Sequence, residues 1–312
     1  MEFPFSILEE NDFDAVGFGT NAVDYLIRVP EYPMFGSKIE LREYSVLAGG
    51  EVASSMLGLS RLGLKTAYAG RFGDDPAGEV GINSLNAEAV DTAYSEIIHG
   101  ASTQIAFIII DEHSGERTVI WQRDEKLRYS AVEAPVHAAK RGRVLHLTPH
   151  DTAASIAMAV SAREAGVIVS ADIDNVFDGI EELLPLVDVC IVSSEFPAKL
   201  LGISESEPAL IELSTRFNCP VTGLTRGEAG SLLYCNGEFI ETPGFRVPGG
   251  CADTTGAGDA FRTGFLFAML TGRSIEDSTA TANAVAALNC RGVGARTGLP
   301  TLAELDLLLK QA

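Results

Sequence analysis

The sequence has few of the features that mark secreted or membrane proteins. Its cysteines are odd in number, scattered and never in a C-x-x-C pair, which excludes a zinc site and a disulfide framework of the usual spacing. They are Cys190, Cys219, Cys235, Cys251 and Cys290. No uninterrupted apolar run approaches the roughly 18 residues of a membrane helix, and the acidic start MEFPFSILEENDFD is unlike a signal peptide. We therefore expect a cytoplasmic protein without membrane contact, in a reducing compartment.

Basic residues are also scarce. The 312 residues include 23 Lys and Arg against 43 Asp and Glu, a formal net charge of −20. Such a charge opposes broad attraction to nucleic acid or anionic lipid, so we expect a small-molecule partner and no nucleic acid. With 46% hydrophobic residues and no linker, repeat or low-complexity tract, the chain is expected to form one domain over residues 1–312.

Short apolar runs alternate with helical patterns along most of the chain. The runs that predict buried strands are 13–19, 66–73, 143–149, 167–174, 188–194 and 220–227. Segments 51–63, 151–166 and 209–218 have apolar residues at helical spacing and end on Gly or Asn. This alternation predicts an α/β fold with a mainly parallel sheet and helices on both faces.

Two segments, about 20–48 and 100–124, depart from that alternation. Each contains paired strand-like runs without a helix between them, and the turn HSG at 113–115 is typical of a β-hairpin. We expect both segments to form one small sheet, a lid over the ends of the parallel strands.

The stretch GFGTNA at 17–22 matches the dinucleotide fingerprint G-x-G-x-x-G/A. That fingerprint requires a helix to begin there, but VDYLIRVPEYP follows, with Pro30 and Pro33 close behind. We therefore reject nicotinamide binding at this position. Asp24 lies just beyond the first predicted strand, at the edge where α/β sheets bind ligands, although a solvated loop aspartate is the alternative.

The most informative stretch is CADTTGAGDAFRTGFLFAM, Cys251 to Met269. Helical spacing of Ala260, Phe261 and Phe265 predicts that TTGAG leads into a helix N-terminus. Small residues let the backbone approach a ligand closely, and the free N–H groups of the first turn attract an anion. Asp259 alone could be a helix-stabilising charge. Beside a phosphate-sized anion hole, it could also take a proton from an attacking hydroxyl.

Four motifs resemble those of the ribokinase-like sugar kinases, the phosphofructokinase-B family. They are DTTGAGDAF, AGGEVASSMLGLSRLGLKTAYAGRFGDDPAG at 48–78, TRGEAGS at 225–231 and ALNCRGVGARTGLP at 287–300. Two family signatures in the expected order make a chance resemblance improbable. The resemblance implies a ribokinase-like three-layer α/β/α sandwich with a mainly parallel central sheet and a small β-sheet lid.

The resemblance also implies roles for particular residues. Asp259 corresponds to the catalytic base, and Gly256, Ala257 and Gly258 to the anion hole. The positions that correspond to sugar-binding residues are Asp24, Gly49 and Gly50. Those that correspond to ATP-binding residues are Thr225, Gly227, Gly230 and Asn283. Asp253 and Thr255 match positions near a monovalent cation in several family members, which leaves potassium activation open.

The sequence departs from the family pattern at two places. Ser54 stands where the first signature usually has Asn, so the hydroxyl is expected to contact substrate with shorter reach and a different preference. The magnesium-linked N-x-x-E is absent, and Glu195 in VSSEFPAKLLG is the nearest carboxylate to its place. Because magnesium keeps several waters, Glu195 remains a candidate for this role.

Other polar residues have two interpretations each. Asp172–Asn175 could touch substrate or metal-bound water, or cap a turn. His146 and His150 have the spacing of helical metal ligands, but Pro149 makes satisfied or solvated histidines the better interpretation. Four basic residues on the predicted lid could clamp a substrate phosphate or only keep sheet edges soluble. They are Lys38, Arg42, Arg117 and Arg123.

These observations favour an ATP- and Mg²⁺-dependent kinase that phosphorylates a primary hydroxyl of a small sugar or sugar derivative. A nucleoside kinase is the alternative, with Phe35, Phe107 or Trp121 as the wall for a base. A non-catalytic nucleotide- or sugar-binding sensor is the alternative from another class. A lid of this kind could also pair between subunits, which leaves a homodimer open.

Overall fold

The computed structural model describes residues 1–113 and 117–311, and the described residues form strands and helices in alternation. The strands are β1 Phe13–Phe18, β2 Ala22–Val29, β3 Glu43–Gly49, β4 Thr66–Ala69, β5 Arg71–Gly73, β6 Glu96–Ile98, β7 Ile105–Asp111, β8 Arg117–Gln122, β9 Gly142–Leu147, β10 Ile168–Ile173, β11 Val189–Val192, β12 Val221–Thr225, β13 Ser231–Cys235 and β14 Glu238–Thr242. The helices are α1 Glu51–Arg61, α2 Pro76–Ala87, α3 Val136–Ala139, α4 Thr152–Glu164, α5 Ile180–Leu183, α6 Phe196–Leu201, α7 Ser206–Phe217, α8 Ala257–Leu270, α9 Ile275–Asn289 and α10 Leu302–Leu309.

Eight strands form the central sheet, in the order β14-β13-β12-β11-β10-β9-β1-β4. The strands from β4 to β12 in this order pair in parallel, whereas β13 and β14 pair antiparallel at one edge. Because parallel strands end on the same side, the chain segments that follow β1, β9, β10, β11 and β12 meet at one edge of the sheet. The predicted mainly parallel sheet is confirmed.

Helices cover both faces of this sheet. One buried core contains apolar residues of α1, α2, α8, α9 and α10, and a second contains those of α3 to α7. The strands themselves are buried on both faces, as β9 and β10 illustrate, which explains their continuous apolar runs. The result is the predicted three-layer α/β/α arrangement.

A separate sheet of four strands, in the order β3-β2-β7-β8, comes from the two segments predicted to form the lid. We call it the lid sheet. Its β2 pairs in parallel with β7 and antiparallel with β3. Strands β7 and β8 form the predicted hairpin, although Ser114 and Gly115 of its turn lie outside the described residues. One face buries a small cluster of Leu26, Ala106, Ile108 and Ile110.

The structure corrects the strand predicted at 66–73. Strand β4 ends at Ala69, and β5 leaves the central sheet to pair with β6. The break falls at Gly70, where a Cβ would lie 2.5 Å from the ring carbon Cζ of Tyr68. The hairpin of β13 and β14 is an addition that we did not predict, with Asn236 and Gly237 at positive φ of 52° and 84° in its turn.

Two further sequence expectations can be compared with the elements. After GFGTNA the chain enters β2 at Ala22 and no helix begins there, as the two prolines predicted. Helix α8 does begin within the glycine stretch, at Ala257. Among the helices of the described residues, none is long and apolar enough to cross a bilayer.

Candidate active site

The glycine stretch forms the N-terminus of α8. Gly256 caps the helix with a left-handed φ of 73°, and a Cβ there would lie 2.7 Å from the Cα of Ala295. Ala257 and Gly258 are the first two helical residues. The Ala257 N–H donates to the Thr254 carbonyl at 3.1 Å, whereas the Gly258 N–H belongs to the first turn, whose N–H groups have no partner within the helix. The loop therefore offers an anion the backbone donors of this turn, and we call residues 253–258 the anion loop.

Asp259 is the third residue of the same helical turn and is half-buried. Its carbonyl oxygen accepts hydrogen bonds from Ser55 Oγ at 3.3 Å and Thr263 Oγ1 at 2.9 Å. Burial raises the pKa of the Asp259 carboxyl above the ordinary aspartate value, although the nearby Arg262 guanidinium opposes this shift. A raised pKa brings a carboxylate closer to the range in which it accepts a proton effectively.

Asp259 belongs to an acidic cluster with two further carboxylates, Glu51 and Asp172. The sequence analysis did not assign Glu51 and left the role of Asp172 open. Glu51 begins α1 directly after Gly50, and Asp172 lies on β10. Burial, followed by the negative charges of nearby aspartates, holds the pKa of both well above the usual range; Asp174 and Asp259 contribute to both shifts. Asp174, in the loop after β10, adds to the negative potential at Asp259.

Arg262 is the cation that partly balances this cluster, and sequence analysis missed it. Its Nη2 lies 2.7 Å from Asp172 Oδ1 and donates to the Ile191 carbonyl at 2.9 Å. Both side chains of the ion pair are only 5% exposed. Arg262 follows Asp259 by three residues, a helical spacing that places both on one face and could have identified it.

The acidic cluster is compatible with a magnesium ion. Glu51 Oε2 and Asp172 Oδ2 are buried and lack a hydrogen-bond partner within residues 1–113 and 117–311, and carboxylate oxygens are the donors that Mg²⁺ prefers. In the described residues no group of three or more His, Cys, Asp or Glu side chains is arranged to hold a metal ion. A magnesium ion at Glu51 and Asp172 would therefore need water and phosphate oxygens as its remaining ligands.

Glu195 does not belong to this cluster. It precedes α6, is 77% exposed and forms an ion pair with Lys199 at 3.3 Å. Its role toward magnesium remains a prediction, and Glu51 and Asp172 are the better-placed carboxylates.

The predicted sugar-binding residues lie together at the end of the lid sheet, where β3 leads into α1. Asp24 is a buried residue of β2, opposite the end of β3 where Gly49 lies. A Cβ on Gly49 would sit 2.8 Å from the Asp24 carboxyl carbon, so only glycine leaves room for this carboxylate. Gly50, at φ 92°, caps α1 in a conformation that other residues rarely adopt. Burial raises the pKa of Asp24 to about 6, with Arg296 opposing the shift.

Ser54 lies on α1 near this group but is buried and already engaged. Arg296 Nε donates to its hydroxyl at 3.0 Å. Arg296 is a second cation that the sequence analysis missed, although it lies in the motif ALNCRGVGARTGLP.

All four residues predicted to bind ATP line one cavity of about 240 Å³. They are Thr225, Gly227, Gly230 and Asn283. Ala257 and Gly258 of the anion loop also line this cavity, while Phe245, Phe261 and Ala287 make much of its wall apolar. Asn283 is held by bonds from Nδ2 to Ser231 Oγ at 3.0 Å and to the Thr242 carbonyl at 3.3 Å.

Asp253 and Thr255 organise the loop before α8. Asp253 Oδ1 accepts from the Thr255 N–H and hydroxyl at 2.9 and 2.8 Å, and its Oδ2 accepts from the Gly294 N–H at 2.8 Å. These bonds join the anion loop to segment 293–296. A monovalent cation near them remains a prediction.

The basic residues of the lid have separate partners. Arg123 forms a buried ion pair with Asp151 at 2.6 Å, Arg42 lies 3.6 Å from Glu112, and Arg117 donates to the Thr254 hydroxyl of the anion loop. Lys38 lies in an exposed loop. Of the four, Arg117 is the one that connects the lid sheet directly to the anion loop.

Neither histidine is fully satisfied or solvated, which corrects the interpretation favoured by the sequence: within the described residues His146 Nε2 and His150 Nδ1 are buried without a hydrogen-bond partner. Burial lowers the pKa of His146 to about 3, and its Nδ1 lies 3.2 Å from Ser170 Oγ. His150 Nδ1 lies 3.6 Å from Glu51 Oε2.

The aromatic residues of the lid sheet divide between its two faces. Asp24 of β2 pairs with Ala106 of β7, and Ala106 pairs with Trp121 of β8. Trp121 therefore lies on the same face of the lid sheet as Asp24. Phe107 pairs with Tyr25 and projects from the opposite face. Phe107 therefore cannot form a wall for a ligand at Asp24 of the same subunit, a correction to the sequence analysis. Phe35 is fully exposed in the loop between β2 and β3.

Comparison with known proteins places this geometry in a family. The model of the pfkB family carbohydrate kinases matches residues 15–302. A fructokinase of Klebsiella pneumoniae is 30% identical, over 83% of this chain and 90% of its own. A nucleoside kinase of Methanothermobacter thermautotrophicus is 26% identical, over 94% of both chains.

Solved structures show the same fold. Arabidopsis thaliana ribokinase, complexed with ribose and ATP, superposes with a TM-score of 0.81 and 22% identity, covering 99% of both chains. An Escherichia coli neighbour was solved in complex with ATP and Mg²⁺, with a TM-score of 0.81, 20% identity and coverage of 96% of this chain and 99% of its own.

The raised pKa of Asp24 generates a stability prediction. Because the folded protein holds the Asp24 proton more tightly than the unfolded chain, ionisation of Asp24 destabilises the fold increasingly as the pH rises from about 4 to about 6, and by the full amount above that. Asp24→Asn should therefore raise the free energy of unfolding at pH 8 by up to about 3 kcal/mol, and by about half as much at pH 5. Urea titrations at both pH values measure this. The exposed Asp178→Asn is the control, and an equal gain at both pH values would contradict the assignment.

Proposed function

The chain belongs to the pfkB family of carbohydrate kinases, and we propose that it transfers the γ-phosphoryl group of ATP to a primary hydroxyl of a small sugar or sugar derivative. In this proposal Asp259 is the general base, and the backbone of Gly256, Ala257 and Gly258 is the anion hole. Residues 1–312 act as one kinase domain, with the lid formed by segments of about 20–48 and 100–124.

One observation carries the proposal. Asp259 lies in the same helical turn as Ala257 and Gly258, and these two residues line the cavity that also contains the four predicted ATP-binding residues. Asp259 directly follows Gly258 at the edge of this cavity, a position suited to a base that deprotonates a hydroxyl attacking the terminal phosphate of ATP.

The reaction follows from these positions. The acceptor binds beneath the lid sheet, with Asp24 accepting hydrogen bonds from its hydroxyl groups and the Gly49–Gly50 backbone lying close to it. Asp259 takes the proton of the reacting hydroxyl, whose oxygen attacks the γ-phosphorus in line while ADP leaves. The first-turn N–H groups of α8 stabilise the negative charge on the transferring group. Magnesium, when bound, neutralises phosphate charge, and Glu51 and Asp172 are the residues that would hold it.

Replacement of the base tests the proposal most directly. Asp259→Asn should lower kcat by about a hundredfold or more, because the amide cannot accept the proton, while ATP still binds. ADP release should be followed with pentoses, hexoses, keto-sugars, their monophosphates and nucleosides, with and without potassium. Asp178→Asn, at an exposed carboxylate outside the site, is the control and should leave kcat unchanged.

Turnover that survives Asp259→Asn would contradict the role of this carboxylate. The sensor hypothesis makes the opposite prediction for the wild type. A sensor would be stabilised by ATP and by an acceptor without any ADP release, and Asp259→Asn would leave that stabilisation unchanged.

A nucleoside kinase is the second candidate function. It is supported by Trp121, which is 58% exposed on the face of the lid sheet that carries Asp24. Its indole could stack on a nucleobase bound there.

If the acceptor is a nucleoside, Trp121→Ala should raise its KM at least several-fold by removing this stacking surface, with little change in the KM for ATP. Phe107→Ala, on the opposite face of the same sheet, is the matched control and should leave both constants unchanged. Equal effects of the two variants would contradict a base-binding role for Trp121.

The proposal includes a homodimer. It is supported by the face of the lid sheet opposite Asp24, which we call the outer face. Tyr25 stacks against Phe107 with ring centroids 5.1 Å apart, and Tyr44 and Ile120 extend the same apolar face, 52% and 54% exposed. Clustered exposed apolar residues mark interaction surfaces in soluble proteins.

Phe107→Glu should convert a dimer into a monomer, because the carboxylate would be buried in an apolar contact. Light scattering during size-exclusion chromatography measures the mass. Val160→Glu, at an exposed residue of α4 outside the lid sheet, is the control. A wild-type protein that is monomeric at high concentration would contradict the dimer.

A further inference from the structure

Arg296 is a buried cation whose bonds all go to neutral oxygens. It lies in the segment between α9 and α10 and is 5% exposed. Nε donates to Ser54 Oγ and Nη1 to Ser84 Oγ, both at 3.0 Å, and Nη2 donates to the Gly49 carbonyl. Within the described part of the chain no carboxylate forms an ion pair with it; a buried charge without such a partner is costly, which suggests a functional reason for its burial.

The bond to Gly49 connects Arg296 to the acceptor site. The Cα of Gly49 packs against the carboxylate of Asp24, closely enough to exclude any Cβ. The Gly49 carbonyl is held by the Arg296 guanidinium. The residue that lies against Asp24 is therefore fixed by Arg296, while Ser54 and Ser84 fix the guanidinium from helices α1 and α2.

We propose that Arg296 is a positioning and specificity-determining residue of the acceptor site, which holds the Gly49–Gly50 backbone against Asp24 and keeps Asp24 ready to accept hydrogen bonds from the acceptor's hydroxyl groups. Arg296 does not touch the reacting atoms. The inference rests on the proposed kinase function, and it assigns Ser54 to the support of Arg296, with no direct contact to the sugar.

The charges around both residues support this arrangement. Asp24 is faced by Arg296, Asp259 and Asp253, so Arg296 is the cation that opposes two carboxylates and the effect of burial. Arg296 in turn is faced by Tyr68, Asp24, Asp259 and Arg61. Loss of the guanidinium would leave Asp24 with two like charges and a higher pKa, and therefore protonated over more of the working pH range.

Arg61 provides a matched control for a purely structural role. This residue of α1 donates from Nη1 to the Arg296 carbonyl at 2.9 Å and to the Leu299 carbonyl at 3.1 Å, and pairs with Glu88 at 2.6 Å. Arg61 anchors the segment that contains Arg296, but in the described part of the chain it forms no hydrogen bond with Gly49 or Ser54. Destabilisation of the segment alone would therefore appear equally in Arg61→Met and Arg296→Met.

The test compares Arg296→Met, Arg296→Lys and Arg61→Met in the full-length protein. Steady-state kinetics with the best acceptor of the panel should show an acceptor KM raised about tenfold or more in Arg296→Met, with the KM for ATP nearly unchanged. In Arg296→Met the acid limb of the pH profile of kcat/KM, where Asp24 becomes protonated, should also move to higher pH. Arg296→Lys should keep the acid limb near the wild-type position and still raise the acceptor KM, because one ammonium group cannot span three acceptors. Arg61→Met should lower Tm and leave both readouts unchanged.

A second measurement does not depend on turnover. The Asp24 carboxyl can be titrated by NMR in protein labelled with ¹³C in its aspartate side chains, with Asp24→Asn to assign the signal. Arg296→Met should raise this pKa above the wild-type value of about 6, and Arg61→Met should not. If the wild type phosphorylates no acceptor, the proposed function fails while this titration still decides the role of Arg296. An unchanged Asp24 pKa, or equal kinetic losses in the two Met variants, would overturn the inference.

Discussion

The burial of carboxylates at the carboxyl edge of the central sheet is the constraint on which the site depends. Asp24, Glu51, Asp172 and Asp259 all have raised pKa values because burial disfavours their charge. Two buried arginines oppose this effect, Arg262 beside Asp172 and Arg296 near Asp24. A surplus of buried negative charge is costly to an empty protein, but it suits a site that receives metal-bound phosphates and polar hydroxyl groups.

Small residues allow the loops that carry these groups to come together. Gly49 leaves room for Asp24, and Gly256 lies against the backbone of Ala295. The bond from the Gly294 N–H to Asp253 then joins the anion loop to the segment that contains Arg296. The group around Asp24 and the loop that begins α8 therefore share one connected support, so that the position of Arg296 bears on both.

The lid sheet gives the site its second wall. Its inner face carries Asp24 and Trp121, while its outer face is apolar and exposed at Tyr44 and Phe107. Period-two alternation assigns each side chain to a face once the strand register is known. The register is a property of the paired strands, which explains why the sequence analysis treated Phe107 and Trp121 as equivalent although they point in opposite directions.

Local patterns were sufficient for most of the fold, but they did not identify every functional residue within the motifs. Apolar runs and helical spacing predicted six strands of the central sheet, the two lid segments and the start of α8, because these features depend on neighbouring residues. The Asn236–Gly237 turn was an unused local signal for the hairpin of β13 and β14. By contrast, Glu51, Arg262 and Arg296 act through partners distant in the chain, such as Asp172 for Arg262 and Gly49 for Arg296. The sequence by itself determined the α/β architecture and the helix start that places Asp259 in the first turn of α8. Only the tertiary structure decided which charges share the site, because burial and ion pairing depend on distances that chain order does not specify.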